Sequence, residues 1–167
     1  MPFTPFHFGP ALLFGLVLSA ALDLPALLVA SIVPDAEPFY VMYFRVSGYQ
    51  VHGFFHSYLG SSILAVLVAV AVYPLGDLLN RVMATFQISR KSSFRKILLT
   101  SFVGVYSHVF LDSFLYGEMA PFYPLQGNPF FDALSAYGSV VYGFCSIAFI
   151  LGIILYFYKI KWNKPKS

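Results

Sequence analysis

Four apolar stretches, at 10–33, 57–73, 97–115 and 133–158, dominate a chain of 167 residues. Each approaches the ~20 residues that a helix needs to cross a hydrocarbon core, and all four read as helical. Composition agrees: 59% of the residues are hydrophobic and 10% are charged, against about half and about a quarter in soluble domains. So few charges cannot cover so much apolar surface in water, which excludes an ordinary soluble domain, a disordered chain and a nucleic-acid-binding module. The length leaves no room for a separate soluble catalytic domain, so residues 1–167 are read as one membrane-embedded domain. The expected class is an all-α polytopic membrane bundle with about four apolar stretches. Cys145 is the only cysteine, so neither a disulfide framework nor a cysteine-based zinc site is available, and any metal must be held by His, Asp and Glu.

Charge sets the expected topology. Arg81, Arg90, Lys91, Arg95 and Lys96 lie between the second and third stretches, and Lys159, Lys161, Lys164 and Lys166 follow the fourth. The positive-inside rule puts the loop 81–96 and the basic tail 159–167 on the cytoplasmic side, where contact with anionic lipid is expected and nucleic acid is not. The loops 34–56 and 117–132 carry Arg45 as their only Lys or Arg, beside Asp35, Glu37, Glu118 and Asp132, and are expected to face outward together. No Lys or Arg precedes Arg45, so the N-terminus does not read as a secretory signal and is expected to stay attached. Within the first stretch, Asp23-Leu24-Pro25 combines an N-cap-like acid with a proline tolerated in a first helical turn. That stretch is therefore either one kinked span or a re-entrant hairpin of two short helices covered by protein neighbours. The hairpin is favoured here because it sets His7 beside Asp35.

The polar residues gather toward the proposed outer side. His108 and Asp112, in SHVFLD, are four residues apart on an otherwise apolar helix and so share one face; ionisable groups at such depth have partners or line a cavity. A mutually satisfied His–Asp bond that locks helix packing is the structural alternative. His52 and His56, in HGFFHS, stand where the second helix begins, with Gly53 between them. Asp35 and Glu37, in VPDAEP, are flanked by prolines that predict a non-helical, extended segment, in which the two acids point to opposite sides and take different roles. Asp35, His56, His108 and Asp112 together supply two imidazoles and two carboxylates from three segments, a donor set suited to Zn²⁺ or Mn²⁺. No HExxH, GxSxG, P-loop or GxGxxG is present, so zincin, serine-hydrolase and nucleotide-dependent readings have no support.

The segments TPFHFGP, VPDAEPF, HGFFHSYLG and GVYSHVFLDSFLYGEMAPFYP, in that order over most of residues 1–124, resemble the membrane-bound metal-dependent hydrolase family, the YdjM-like group, and in particular its compact archaeal-type members. That family is similar in motif order to the all-helical zinc-dependent phospholipase C and single-strand nuclease superfamily. The resemblance implies Asp35, His56, His108 and Asp112 as ligands of one zinc site and His7 as a member of a second. The chain departs from relatives that read HRGFTHS, with Val51 and His52 at the first two positions, and no histidine follows His108, so one or two ions are expected rather than three.

The function expected on these grounds is a metal-dependent hydrolase that cleaves a phosphoester of a lipid or other amphiphile by a metal-activated water at the outer interface. Glu37 is the first candidate for general base or orienting group and Glu118 the second. Arg45 and His52 are the outer-side groups able to donate to an anionic substrate. The loop 119–131 reads as an interfacial aromatic belt or, second, as a rim or lid against acyl chains. The rivals are a non-catalytic membrane scaffold with a His/Asp metal-bound or hydrogen-bonded core, and a metal or ion transporter. Small size is compatible with homo-oligomers, and Gly138, Gly143 and Gly152 offer close-packing positions on the fourth helix.

Overall fold

The computed structural model describes residues 5–162, excluding the side chains of Pro5, Asp132, Leu134, Ser135 and Trp162; residues 163–167 of the basic tail lie outside the described residues. Eight α-helices follow in order: α1 (Phe8–Val17), α2 (Leu24–Ala30), α3 (Ala36–Tyr43), α4 (Tyr58–Val72), α5 (Gly76–Thr85), α6 (Phe94–Ser113), α7 (Pro129–Leu134) and α8 (Gly138–Trp162). Short 3₁₀ turns at Pro5–His7, Val33–Asp35 and Phe54–His56 sit at one end of the bundle. The described residues contain no strand, so the all-α expectation holds.

The first apolar stretch is a hairpin. Asp23 ends one arm and starts the next: its extended backbone (φ −95°, ψ 113°) is non-helical, and its carboxylate accepts the Ala26 N–H while Pro25 occupies the first turn, the arrangement that satisfies an otherwise orphaned donor. Ser57 caps α4 and Ser93 caps α6 in the same way. The ten residues of α1 rise only about 15 Å, so α1 depends on neighbours for cover. It gets them from α8, with which it runs parallel: Gly9 meets Cys145, Leu12 meets Gly152, and the Lys159 ammonium reaches the Leu16 carbonyl.

Among the described residues two helical runs are by themselves long and apolar enough to cross a membrane, Leu24–Tyr43 and Gly138–Lys161. A third is reached if α4 and α5 count as one span, although they meet at 79°. The expected set of four is thus corrected to two or three. At 15 residues α4 is short, and α6, though 20 residues long, includes Arg95, Lys96, His108 and Asp112. A second correction concerns 34–43. Helical structure runs from Val33 to Tyr43 where an extended loop was expected, because Pro34 and Pro38 both occupy first-turn positions, where the missing N–H costs no hydrogen bond.

Small residues let the helices approach closely. Ala26 and Ala30 of α2, Ala65 and Ala69 of α4 and Val105 of α6 are all 0% exposed and form one core. A Cβ on Gly104 would come within 2.5 Å of the Ala30 Cβ, and one on Gly9 within 2.1 Å of the Cys145 carbonyl oxygen. Backbone cannot yield as a side chain can, so Gly9→Ala is expected to pry α1 from α8 at a cost of about 1–3 kcal/mol. Thermal unfolding in detergent measures it, with Gly143→Ala, where a Cβ meets nothing within 4 Å, as the control.

Candidate metal centre

The helix directions bring four separated segments to one end of the bundle. His7 precedes α1, Asp35 and Glu37 follow α2, His56 precedes α4, and His108 and Asp112 lie in the last turns of α6. His56 and His108 are 0% exposed and Asp112 2%.

Asp35, His56, His108 and Asp112 each present one ligand atom, and these four atoms lie within 4.8 Å of one another. The His108 Nε2 is 3.3 Å from the His56 Nε2, 3.2 Å from Asp112 Oδ2 and 3.7 Å from Asp35 Oδ1; the His56 Nε2 is 3.8 Å from Asp112 Oδ2. Ligands at ~2.0–2.1 Å on a tetrahedron stand ~3.3–3.4 Å apart. Two of these separations match that edge and the others are longer, so the four atoms would have to close in slightly around a four-coordinate ion.

The proton arrangement is more telling. His108 Nδ1 lies 2.7 Å from the Ser31 carbonyl oxygen, which can only accept, so Nδ1 carries the hydrogen. His56 Nδ1 lies 2.9 Å from Glu37 Oε2, and that carboxylate also accepts the Gly53 and Phe55 N–H groups and the Tyr49 hydroxyl. Burial, the larger effect, holds the His56 imidazole below its ordinary pKa, so its Nε2 presents a lone pair. With both rings neutral, two Nε2 lone pairs face each other at 3.3 Å beside two carboxylates; with a proton on His108, its Nε2 donates to His56 or Asp112 instead. Among the described residues these four side chains form a group that could hold a metal ion.

The remaining predicted residues fall around this set. The Glu37 oxygens are engaged by four donors, which fits the orienting role and leaves no oxygen for a general base. Its separation from Asp35 is helical rather than extended: two residues on a helix turn by about 200°, so the acids still diverge. His7, expected beside Asp35 and in a second site, joins the same group of side chains. Its Nε2 is 3.0 Å from Asp112 Oδ1 and its ring stacks on His108 at 4.0 Å. Glu118, expected at the mouth near Asp112, instead pairs with His52, Oε1 to Nδ1 at 2.8 Å. His52 is 8% exposed, stacks on Tyr116 at 3.7 Å and meets the His56 ring edge-on at 4.9 Å. Arg45 lies exposed in the turn after α3 with φ 51° and makes no side-chain contact with the cluster.

Three participants carry no motif. Tyr49 fixes Glu37, the Ser31 carbonyl fixes His108, and Asn128, 2% exposed, donates to the Ser113 and Tyr116 carbonyls and accepts from Phe131. Only Asn128-Pro129, a dipeptide that favours turn initiation, offered a sequence signal. Two buried atoms lack hydrogen-bond partners beside the cluster, His7 Nδ1 and Asp35 Oδ2.

Fold and site together define an all-helical membrane protein with a buried His/Asp cluster at one end of its bundle. The model of the YdjM inner membrane protein family matches residues 3–165, and the chain belongs to that family. No curated protein and no solved structure matches it.

Proposed function

We propose that the protein is a membrane-embedded, metal-dependent hydrolase acting on a phosphoester of a lipid or similar amphiphile, with Asp35, His56, His108 and Asp112 holding Zn²⁺ or Mn²⁺. The observation that carries it is the pair of imidazole Nε2 atoms 3.3 Å apart beside two carboxylates, each ring fixed by an acceptor on its other nitrogen. A bound ion would lower the pKa of a water and polarise a phosphoryl oxygen.

The chain's own residues divide the work. Glu37 and Ser31 set the two imidazoles, and His7 holds Asp112 by Oδ1 so that Oδ2 faces the cluster. The unpartnered Asp35 Oδ2 is the acceptor for the attacking water's proton. His52 donates from Nδ1 to Glu118, so its Nε2 can donate to an anionic substrate only as imidazolium. The permanent charge on that side is Arg45. The basic segments 81–96 and 159–162 lie at the opposite end of the bundle, so the positive-inside rule turns the cluster outward.

A second reading rests on the 3.2 Å between His108 Nε2 and Asp112 Oδ2: a proton on His108 would make this a charged hydrogen bond in a metal-free core, as a scaffold would use. Asp112→Asn separates the two. The hydrolase reading predicts loss of phosphodiester turnover by at least ~10²-fold with folded yield retained, measured on detergent-purified protein with synthetic phosphodiesters and phospholipids. The scaffold reading predicts loss of folded yield and no turnover in either protein.

A further inference from the structure

We propose that the end of the bundle opposite the His/Asp cluster holds a binding site for the phosphate of an anionic membrane lipid, in a cavity of about 470 Å³ between the α1–α2 hairpin tip and the segment joining α5 to α6. Its walls come from 15–25, from Met83 and 87–90, and from Tyr158 and Lys159. None of these residues belongs to the cluster.

Depth follows from α5. This helix has no buried residue; Leu75, Leu78, Val82 and Phe86 are exposed and repeat at helical spacing, opposite Asp77, Asn80, Arg81 and Ala84. Turned 79° from α4, it has the form of a helix lying in the interface plane with its apolar stripe toward lipid. The cavity that it borders is thereby at headgroup level.

Charge supplies the ligand class. Arg90 Nη1 donates to the Ser19 carbonyl oxygen at 2.8 Å and Lys96 Nζ to the same oxygen at 3.2 Å, while Lys159 Nζ reaches the Leu16 carbonyl and lies 3.5 Å from Ser19 Oγ. All these acceptors are neutral. Among the described residues no carboxylate forms an ion pair with Arg90, Lys96 or Lys159, in contrast to Lys91, which lies 3.4 Å from Asp77. The acid on the wall, Asp23, accepts the Ala26 N–H with Oδ1. Capping the carbonyl end of α1 calls for a cation, yet three converge on one turn, with N–H donors remaining on the guanidinium and ammonium groups. An anion entering between Arg90 and Lys159 would relieve that repulsion. Apolar lining from Leu16, Leu22, Met83 and Ile88 suits a glycerol backbone and the start of acyl chains, which selects a lipid over free phosphate.

The test compares lipids on purified protein by thermal unfolding and by native mass spectrometry. Phosphatidylglycerol is expected to raise the unfolding midpoint and to remain bound at about tenfold lower concentration than phosphatidylcholine. Arg90→Gln with Lys159→Gln should abolish that preference, and Arg81→Gln with Lys91→Gln, two cations off the cavity wall, should keep it. Equal retention of the two lipids by the unaltered protein, an equal effect of inorganic phosphate, or equal loss in both double variants would overturn the site. The lipid comparison on the unaltered protein decides the matter even where a variant fails to fold. Metal content is not involved in any arm, so this site stands or falls apart from the hydrolase.

Discussion

His108→Ala is expected to empty the cluster, reducing bound zinc from about one equivalent to below about a tenth, and to abolish phosphoester turnover. The side chain is wholly buried, donates to the Ser31 carbonyl through one nitrogen, and faces His56, Asp35 and Asp112 with the other. Losing an outer partner of a ligand costs ~10–100-fold in metal affinity; losing the side chain that makes three of the four contacts given above is expected to cost more. Alanine also leaves the Asp112 and Asp35 carboxylates facing a cavity, with Asp112 keeping only His7, and a buried acceptor that loses a partner destabilises by about 1–3 kcal/mol. Elemental analysis beside circular dichroism checks both effects. A folded variant that still carries a full equivalent of zinc would remove His108 from the site.

Glu37→Ala has the second largest expected effect, and it acts through a different route. Its carboxylate receives Tyr49 Oη at 2.9 Å, Gly53 N at 3.1 Å, Phe55 N at 3.1 Å and His56 Nδ1 at 2.9 Å. Truncation strands these donors at the loop that delivers His56, at about 1–3 kcal/mol for each group left without water or partner. The imidazole is then free to rotate or to change tautomer, so zinc affinity should fall by ~10–100-fold while saturating zinc still restores one equivalent. A zinc titration in competition with a chelator distinguishes this from His108→Ala, for which no saturation is expected. An unchanged titration would show that the His56 tautomer does not depend on Glu37.

Much of this arrangement is legible in the chain. SHVFLD gives His108 and Asp112 on one face because helical spacing is fixed, and Asp23-Leu24-Pro25 marks a helix break because capping chemistry is local, though it leaves kink and hairpin both open. The segment 34–43 misleads. Proline excludes helix from its preceding residue in general, but Pro34 and Pro38 fall within first turns, a fact about register that only packing decides. The partners of Glu37 and His52 lie up to 19 and 66 residues away, beyond any periodic signal. Glu118 follows Asp112 closely in sequence, but its pairing with His52 depends on how the chain reverses after α6. The division of α4 from α5 at 79° leaves a trace in the amphipathic stripe of Leu75, Leu78, Val82 and Phe86, but the angle of the bend depends on packing that no local pattern carries.

The most direct test of the central claim is the metal content of the unaltered, detergent-purified protein, followed by X-ray absorption at the edge of whatever metal is found. About one equivalent of zinc or manganese is expected, in a shell of two imidazole nitrogens and carboxylate oxygens; for zinc the distances should be ~2.0–2.2 Å. Protein that holds no metal, even after incubation with zinc and with manganese, would contradict it and leave the cluster as a protonated, hydrogen-bonded core.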